Sequence, residues 1–377
     1  MQKRSWAGLS VLILGLAVSC GQKSNPNEIL IGEYGSLTGS QATFGISTKN
    51  GIELAVNEIN AAGGVNGKTL RVVVFDDEGK PAEAAVGVTK LITQDRVKVV
   101  LGEVASSLSL AAAPICQSHQ VPMISPSSTD PKLTQTGDYI FRVCFIDPFQ
   151  GRVMSDFAMG HLKARTAAIL RDQKSDYSMG LADFFIKRFK DQGGTIVSDE
   201  SFQAGDVDFK SQLTAIRGKN PDVIFVPGYY TEVGLIAKQA RELGIQVPLL
   251  GGDGWESSKL YEIGGKALDG CYFSTHYSSE SSDPKVRDFV KKYQAQYGSV
   301  PDGLGTLGYD AAGVLAEALK RAKSLSGTDI RDAIAATKDY PGVTGKISID
   351  ANRDAVKSAV VLKIDGGKSS FVTTVNP

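Results

Sequence analysis

Short apolar segments alternate with longer amphipathic segments along most of this chain. The first series begins with an apolar strand at 28–32, continues with a helix over 48–61 and reaches a strand at 139–143. Within the helix, apolar residues recur every three or four positions, as they do on one helical face. Such alternation predicts parallel sheets that are covered by helices on both faces.

A second series of similar length runs from a strand at 166–171 to a strand at 248–252. A further strand at 270–274, helices at 284–297 and 308–323, and a β-rich stretch at 346–375 complete the chain. Two successive series of similar length predict two similar lobes. The predicted fold class is therefore α/β, with two doubly wound parallel-sheet lobes.

Hydroxyl groups gather after two neighbouring strands of the first series. Ser106 follows the apolar segment 97–101, and Ser127 and Thr129 follow the segment 121–124. Each cluster precedes a stretch compatible with a helix, where free N–H groups and the helix dipole favour an anion. Open α/β sheets bind small ligands at such strand ends. The alternative for each hydroxyl is a helix cap, since Ser and Thr are preferred caps.

No nucleophile with an adjacent base accompanies these hydroxyls, so the pattern predicts binding and not catalysis. The segment 62–69 ends in Gly-Lys-Thr, but a helix precedes it and a strand follows, the reverse of a phosphate-binding loop. His119, His161 and His276 are scattered without metal-ligand spacing, and we assign them surface or packing roles. We expect no enzyme activity, no metal and no cofactor.

Composition narrows the class of protein further. Apolar residues make up 42% and charged residues 22% of the 377 residues, which is ordinary for a soluble globular protein. The formal net charge is zero, so the chain has no basic footprint for nucleic acid. Cys116, Cys144 and Cys271 lie in apolar surroundings, which predicts buried, inert thiols. An odd number leaves at least one thiol free, and a Cys116–Cys144 disulfide stays open.

The N-terminus has the pattern of an export signal. Lys3 and Arg4 precede an apolar run at 9–18 that is too short to span a bilayer, so 1–19 is predicted to be a signal peptide. The following Ser-Cys at Cys20 resembles a bacterial lipobox. We expect lipidation of Cys20, with 20–27 as a lipidated tether. The alternative is an ordinary signal peptide cut near Ser19.

Several motifs fall in one order along the chain. They are the segments 35–45, 51–55 and 59–68, Asp76-Asp77, Ile124-Ser125-Pro126 with Leu133-Thr134, Phe141-Arg142, Pro227-Gly228-Tyr229-Tyr230 and Gly308-Tyr309-Asp310-Ala311. Together they resemble the periplasmic leucine/isoleucine/valine-binding proteins, over essentially the whole mature chain. The resemblance implies a type I periplasmic-binding fold, in which two doubly wound lobes are joined by three crossovers and hold a ligand between them.

This resemblance also implies domains that are discontinuous in sequence. The expected crossovers lie near Cys144–Phe149, Ser274–Ser278 and Gly345–Asp350. The first lobe is then expected to comprise 28–145 and 278–346, and the second 146–277 and 347–377.

By resemblance, the first lobe supplies contacts to both charged groups of an amino acid. Ser106 matches a hydroxyl donor to the ligand carboxylate, and Thr129 matches a residue that contacts the ligand through its hydroxyl and its backbone. Ser127 matches a residue whose carbonyl faces the ammonium group. A family cysteine before the serine is replaced here by Ala105, so the disulfide of some relatives is absent at this point.

The second lobe is expected to supply the acceptor for the ammonium group. Asp253 matches an acidic ligand that is usually Glu in the family, and Tyr177 and Tyr229 match two tyrosines of the cleft. Phe44, in the first lobe, matches an aromatic wall of the pocket. A turn role for Asp253 and simple packing for the tyrosines are the alternatives. Other residues expected to approach the pocket are Leu37, Trp255 and Tyr309.

Taken together, these features predict a solute-binding lipoprotein of an ABC importer. Its small-molecule ligand is expected to be an α-amino acid, apolar or branched-chain, or a related molecule, held by hinge closure. The resemblance implies an ABC permease and an ATPase as partners. We expect a monomer that is lipid-anchored on the extracytoplasmic side of a membrane. The rival prediction is a sensor of the same fold that signals to a receptor.

Overall fold

A computed structural model describes residues 25–377, so the predicted signal peptide 1–19 and Cys20 lie outside the described residues. The first lobe contains a five-stranded parallel sheet of order β2-β1-β3-β4-β5. Its elements are β1 (Glu28–Gly35), α1 (Ala42–Ala61), β2 (Thr69–Asp76), α2 (Pro81–Thr93), β3 (Val99–Leu101), α3 (Ser106–Ser118), β4 (Met123–Ser125), α4 (Lys132–Gln135) and β5 (Ile140–Arg142).

The second lobe repeats this arrangement. Five parallel strands follow in the order β7-β6-β8-β9-β10, the counterpart of the first sheet. Its elements are α5 (Asp147–Gly160), β6 (Thr166–Asp172), α6 (Asp176–Asp191), β7 (Thr195–Phe202), α7 (Lys210–Arg217), β8 (Val223–Phe225), α8 (Tyr230–Glu242), β9 (Leu249–Gly251), α9 (Ser258–Gly264) and β10 (Tyr272–Thr275), with 3₁₀ turns at Asp253–Trp255 and Gly265–Leu268.

The chain then returns to the first lobe before it ends in the second. The returning elements are α10 (Pro284–Tyr297), α11 (Gly303–Arg321), α12 (Gly327–Ala335), β11 (Tyr340–Gly342), β12 (Gly345–Ile349) and β13 (Ala355–Val356), and the last are β14 (Ala359–Asp365) and β15 (Lys368–Val375). Strand β14 pairs antiparallel with β10, and β15 pairs with β14 at the edge of the second sheet. The α/β fold of two doubly wound lobes is confirmed.

The third connection between the lobes lies later than the sequence analysis placed it. We expected the second lobe to resume at residue 347, but β12 pairs with β11 and β13. Ile347, Ile349 and Ala355 pack in the hydrophobic core of the first lobe. The chain therefore crosses after Val356, and enters the second sheet at Ala359. A short meander has no local sequence signal that distinguishes one lobe from the other.

Helices α1 and α11 pack closely, and both begin about five residues earlier than the apolar pattern predicted. A Cβ atom at Gly51 would lie 1.8 Å from the carbonyl oxygen of Gly305, so the two backbones need glycine at this contact. The side chain of Asp302 accepts the N–H of Gly305 at 2.8 Å and caps α11. The helix pair covers one face of the first sheet. Within residues 25–377, every helix is too short or too polar to cross a bilayer.

Candidate functional site

A small cavity lies between the two lobes, at the carboxyl ends of the parallel strands. The structure brings all of the predicted site residues to this cavity: Phe44, Ser106, Ser127, Thr129, Tyr177, Tyr229 and Asp253. Val104, Gly254 and Leu304 complete the lining. This mixed polar and apolar lining suits a small molecule.

The hydroxyls of the first lobe are not helix caps. The N-cap of α3 is Ala105, and Ser106 is the first helical residue, where its hydroxyl accepts the N–H of Asp130 at 3.3 Å. The N-cap of α4 is Pro131, so Thr129 does not cap that helix. The hydroxyl of Ser127 is buried and has no hydrogen-bond partner in the described part of the chain. The alternative of a helix cap is therefore wrong for Ser106 and Thr129.

Aromatic side chains form one wall of the cavity. Tyr177 and Tyr229 stack with 5.3 Å between ring centroids, and Phe44 meets Tyr229 edge-on at 5.5 Å. The hydroxyl of Tyr177 accepts the N–H of Gly254 at 3.1 Å, which fixes the ring beside Asp253. Burial raises the pKa of Tyr177 and Tyr229 well above their usual range, so both hydroxyls are neutral hydrogen-bonding groups.

Asp253 is the charged side chain among the described residues that line the cavity. It begins the 3₁₀ turn after β9, and its carboxylate is buried. Gln150 donates to one carboxylate oxygen at 3.0 Å, and the Nε2 atom of His276 lies 2.9 Å from the other. Nearby, burial raises the pKa of Asp147 well above its usual range. Asp253 is thus the principal anionic group presented to the cavity.

His276 corrects the sequence analysis, which gave all three histidines only surface or packing roles. His119 and His161 are exposed. His276 is buried, stacks on Phe145 with 3.9 Å between ring centroids and contacts Asp253. Neither Gln150 nor His276 lies near Asp253 in sequence, so no local pattern could have identified them.

The apolar lining differs in part from the expectation. Leu37, Trp255 and Tyr309 do not line the cavity. The indole of Trp255 instead donates to the carbonyl of Val226 at 2.9 Å inside the second lobe, and Tyr309 donates to Glu58 at 2.7 Å. Val104 and Leu304 take their place.

Direct contacts join the lobes around the cavity. Ser107 donates to the carboxylate of Asp176 at 2.9 Å and accepts its backbone N–H at 3.0 Å. On another edge, the hydroxyls of Thr43 and Ser257 lie 2.9 Å apart. Phe44, Val104 and Leu304 pack in one hydrophobic cluster with residues of the second lobe. The structure therefore has the lobes in contact, with the cavity between them.

The three described cysteines, Cys116, Cys144 and Cys271, are free and buried. Burial raises the pKa of all three thiols, to about 12 for Cys144, so they are poor nucleophiles. The open question of a Cys116–Cys144 disulfide is answered by their free state. Among residues 25–377, metal-ligating side chains do not form a group of three.

Two doubly wound lobes with a small cavity between them define a type I binding protein. The chain belongs to the periplasmic binding protein family, whose sequence model matches residues 28–368, and to its branched-chain amino acid branch. It is 32% identical to Leu/Ile/Val-binding protein homolog 3 of Brucella melitensis, over 82% of each chain.

Two solved structures resemble the whole described chain. The leucine-binding protein LivK of Thermotoga maritima is 40% identical, with a TM-score of 0.89, over 93% of this chain and 99% of that one. The substrate-binding protein LivJ of the branched-chain amino acid transporter of Streptococcus pneumoniae, solved with isoleucine, is 39% identical, with a TM-score of 0.88, over 93% and 100%.

Proposed function

We propose that this protein is the extracytoplasmic solute-binding component of an ABC importer and binds an apolar, branched-chain α-amino acid. One observation carries the proposal: a single carboxylate, Asp253, faces a set of hydroxyls across a small cavity with an aromatic and aliphatic wall. An α-amino acid is a zwitterion, so its site needs donors for a carboxylate, an acceptor for an ammonium group and an apolar pocket. The isoleucine complex of LivJ supports the same ligand class.

Each part of the ligand has a complementary group. The ligand carboxylate is met by the hydroxyls of Ser106 and Thr129, near the N-terminus of α3, where the helix dipole favours negative charge. The ammonium group is met by Asp253 and by the backbone carbonyl of Ser127. Phe44 and the other apolar side chains, Val104, Tyr229 and Leu304, then surround the aliphatic side chain.

Binding proceeds by hinge closure in this proposal. The ligand binds to the first lobe through its carboxylate, and the second lobe then brings Asp253 and the tyrosines. Contacts between the lobes, such as Ser107 with Asp176, form on closure. A ligand shifts the equilibrium only by its extra affinity for the closed form. Asp253 belongs to the second lobe, so it contacts the ammonium group only in the closed form. This contact supplies the extra affinity for the closed form.

The membrane partners follow from the family. LivJ is the substrate-binding protein of a branched-chain amino acid transporter, so an ABC permease and an ATPase are the proposed partners here. A lipid on Cys20 would hold the monomeric protein at the membrane surface through the segment 20–27.

Calorimetry on exhaustively dialysed protein tests the ligand class. Leucine, isoleucine and valine are compared with 4-methylpentanoate, which has the leucine skeleton without the ammonium group, and with 3-methylbutylamine, which lacks the carboxylate. We expect binding of the amino acids and at least about 30-fold weaker binding of either analogue, because each leaves a buried polar group without its partner. Equal binding of leucine and 4-methylpentanoate would contradict the proposal.

A further inference from the structure

The carboxylate of Asp253 is held by donors from two different connections between the lobes. Gln150 lies in the first turn of α5, just after the first connection, and its Nε2 atom donates to Oδ1 at 3.0 Å. His276 follows β10 on the second connection, and its Nε2 atom lies 2.9 Å from Oδ2. Both oxygens of the carboxylate are therefore held by side chains on or beside these two connections, which form part of the hinge.

The geometry indicates which ring nitrogen of His276 carries the proton. A carboxylate oxygen accepts hydrogen bonds, so the proton of His276 lies on Nε2. Nδ1 is buried and has no partner among the described residues. Burial lowers the pKa of His276, although the hydrogen bond and charge of Asp253 oppose this and the charge of Lys357 adds to it. A neutral His276 ring orients the Asp253 carboxylate through its N–H group. It does not neutralise the carboxylate, whose negative charge remains available to a cation.

The two connections also touch each other at this point. The ring of His276 stacks on Phe145 of the first connection, with 3.9 Å between centroids and 22° between planes. The relative placement of the two connections therefore determines where the N–H of His276 points. Asp253 has a shorter side chain than Glu and depends on these donors for its orientation.

We propose that Gln150 and His276 are positioning residues that aim the Asp253 carboxylate at the ligand ammonium group and so make selectivity for amino acids a property of the hinge. This inference rests on the proposed function. A purely structural contact would stabilise the protein but would not distinguish an amino acid from the same molecule without its ammonium group.

The test uses substitutions that distinguish the effect of the N–H donor of His276 from the effect of its aromatic ring. His276→Phe keeps an aromatic ring against Phe145 and removes the N–H, whereas His276→Gln keeps an N–H donor at similar reach. His161→Phe is the matched control, because His161 is exposed and stacks on Phe157 away from the cavity. Gln150→Leu removes the second donor. Dissociation constants for leucine and for 4-methylpentanoate are measured for every variant.

We expect His276→Phe and Gln150→Leu to weaken leucine binding by about tenfold or more and to change 4-methylpentanoate binding by less than about threefold. His276→Gln should restore most of the preference for leucine, and His161→Phe should leave both constants unchanged. Equal losses for the two ligands, or an unchanged preference in His276→Phe, would overturn the inference.

A measurement without ligand separates this inference from the proposed function. Nitrogen NMR of ¹⁵N-histidine-labelled protein reports which ring atom of His276 carries the proton. We expect the neutral Nε2–H form, and a shifted Nε2 resonance in Asp253→Asn. A proton on Nδ1 would refute the positioning role, even if leucine binds. If the resonances are as expected but the protein binds no amino acid, the contact between His276 and Asp253 stands and the proposed ligand class is wrong.

Discussion

Phe44 of the first lobe meets Tyr229 of the second edge-on, with 5.5 Å between ring centroids and 83° between the ring planes. The two rings belong to different lobes, yet they form one corner of the cavity wall. Edge-to-face pairs contribute about 0.5–1.5 kcal/mol beyond their buried area. The apolar wall of the pocket is therefore complete only when the lobes are in contact, so ligand shape and lobe closure are coupled.

Asp253→Asn should weaken leucine binding by about 2–5 kcal/mol, because the ammonium group loses its anionic partner in a buried site. The amide retains the shape of the side chain, so the cavity keeps its volume. Calorimetry with leucine measures the loss, and 4-methylpentanoate serves as the control ligand, whose affinity should not fall. Unchanged leucine affinity would show that Asp253 does not bind the ammonium group.

Leu304→Ala should enlarge the apolar part of the cavity and raise the affinity for phenylalanine relative to leucine. Leu304 is buried, so the substitution should also lower the free energy of unfolding by about 2–5 kcal/mol. Leu319→Ala is the matched control, since Leu319 is buried on the same helix in the core of the first lobe. It should destabilise the protein without changing the ligand preference. A similar preference shift in both variants would count against the lining role of Leu304.

Ser107→Ala should weaken leucine binding by about 1 kcal/mol, because two hydrogen bonds to the partly exposed Asp176 are lost from the closed form. Ser118→Ala is the control, because the hydroxyl of Ser118 bonds only locally, to the carbonyl of Ile115 and to the ring of His119. Calorimetry measures the affinities. Equal affinities in the two variants would mean that this contact does not help closure.

The stability of the first lobe should fall as the pH rises from about 5 to 8. Burial raises the pKa of Glu103 from its usual 4.5 to about 8, with a further contribution from the charge of Asp77. The folded protein holds a proton that the unfolded chain has released, so this contribution is complete below pH 4.5 and is lost as the pH passes 8. One such group contributes a slope of about 1.4 kcal/mol per pH unit.

Ser36 lies between the carboxyl groups of Glu103 and Asp77. Its hydroxyl lies 3.0 Å from a carboxylate oxygen of Glu103 and 2.9 Å from one of Asp77, and it can donate to only one of them. Denaturant titrations at several pH values measure the slope. Glu103→Gln should reduce it without abolishing it, because burial also raises the pKa of Glu33 to about 8. Glu83→Gln on α2, where the side chain is partly exposed, is the control and should keep the wild-type slope. A wild-type slope in Glu103→Gln would show that Glu103 does not retain a proton in the folded protein.

Cys20→Ser should release the protein from membranes, because the proposed lipid would have no attachment point. Fractionation of cells that express the full chain measures the distribution. Cys116→Ser, at a buried thiol, is the control and should remain in the membrane fraction. Membrane association of Cys20→Ser would contradict a lipid anchor at Cys20. An ordinary signal peptide cut near Ser19 instead predicts that the wild-type protein is itself absent from the membrane fraction.

The position of the cavity was predictable from the sequence, since Ser106 and Thr129 follow strands whose ends must meet in a parallel sheet. Asp253 and the tyrosines were found by resemblance, and the structure places them at the same cavity. Gln150, His276 and Leu304 had no local signal, because tertiary packing alone brings their segments to the cavity. Trp255 was wrongly expected there, since a large aromatic residue serves a lobe core as readily as a ligand wall.

The packing of α1 against α11 determines when the core of the first lobe can form during synthesis. The helix that covers α1 begins at Gly303, about 240 residues after α1. In the nascent chain, the apolar face of α1 therefore stays exposed until α11, in the last quarter of the sequence, has been synthesised. Contacts of such high sequence separation also form slowly. The first lobe, although it is encoded first, cannot complete its core until most of the second lobe has been translated.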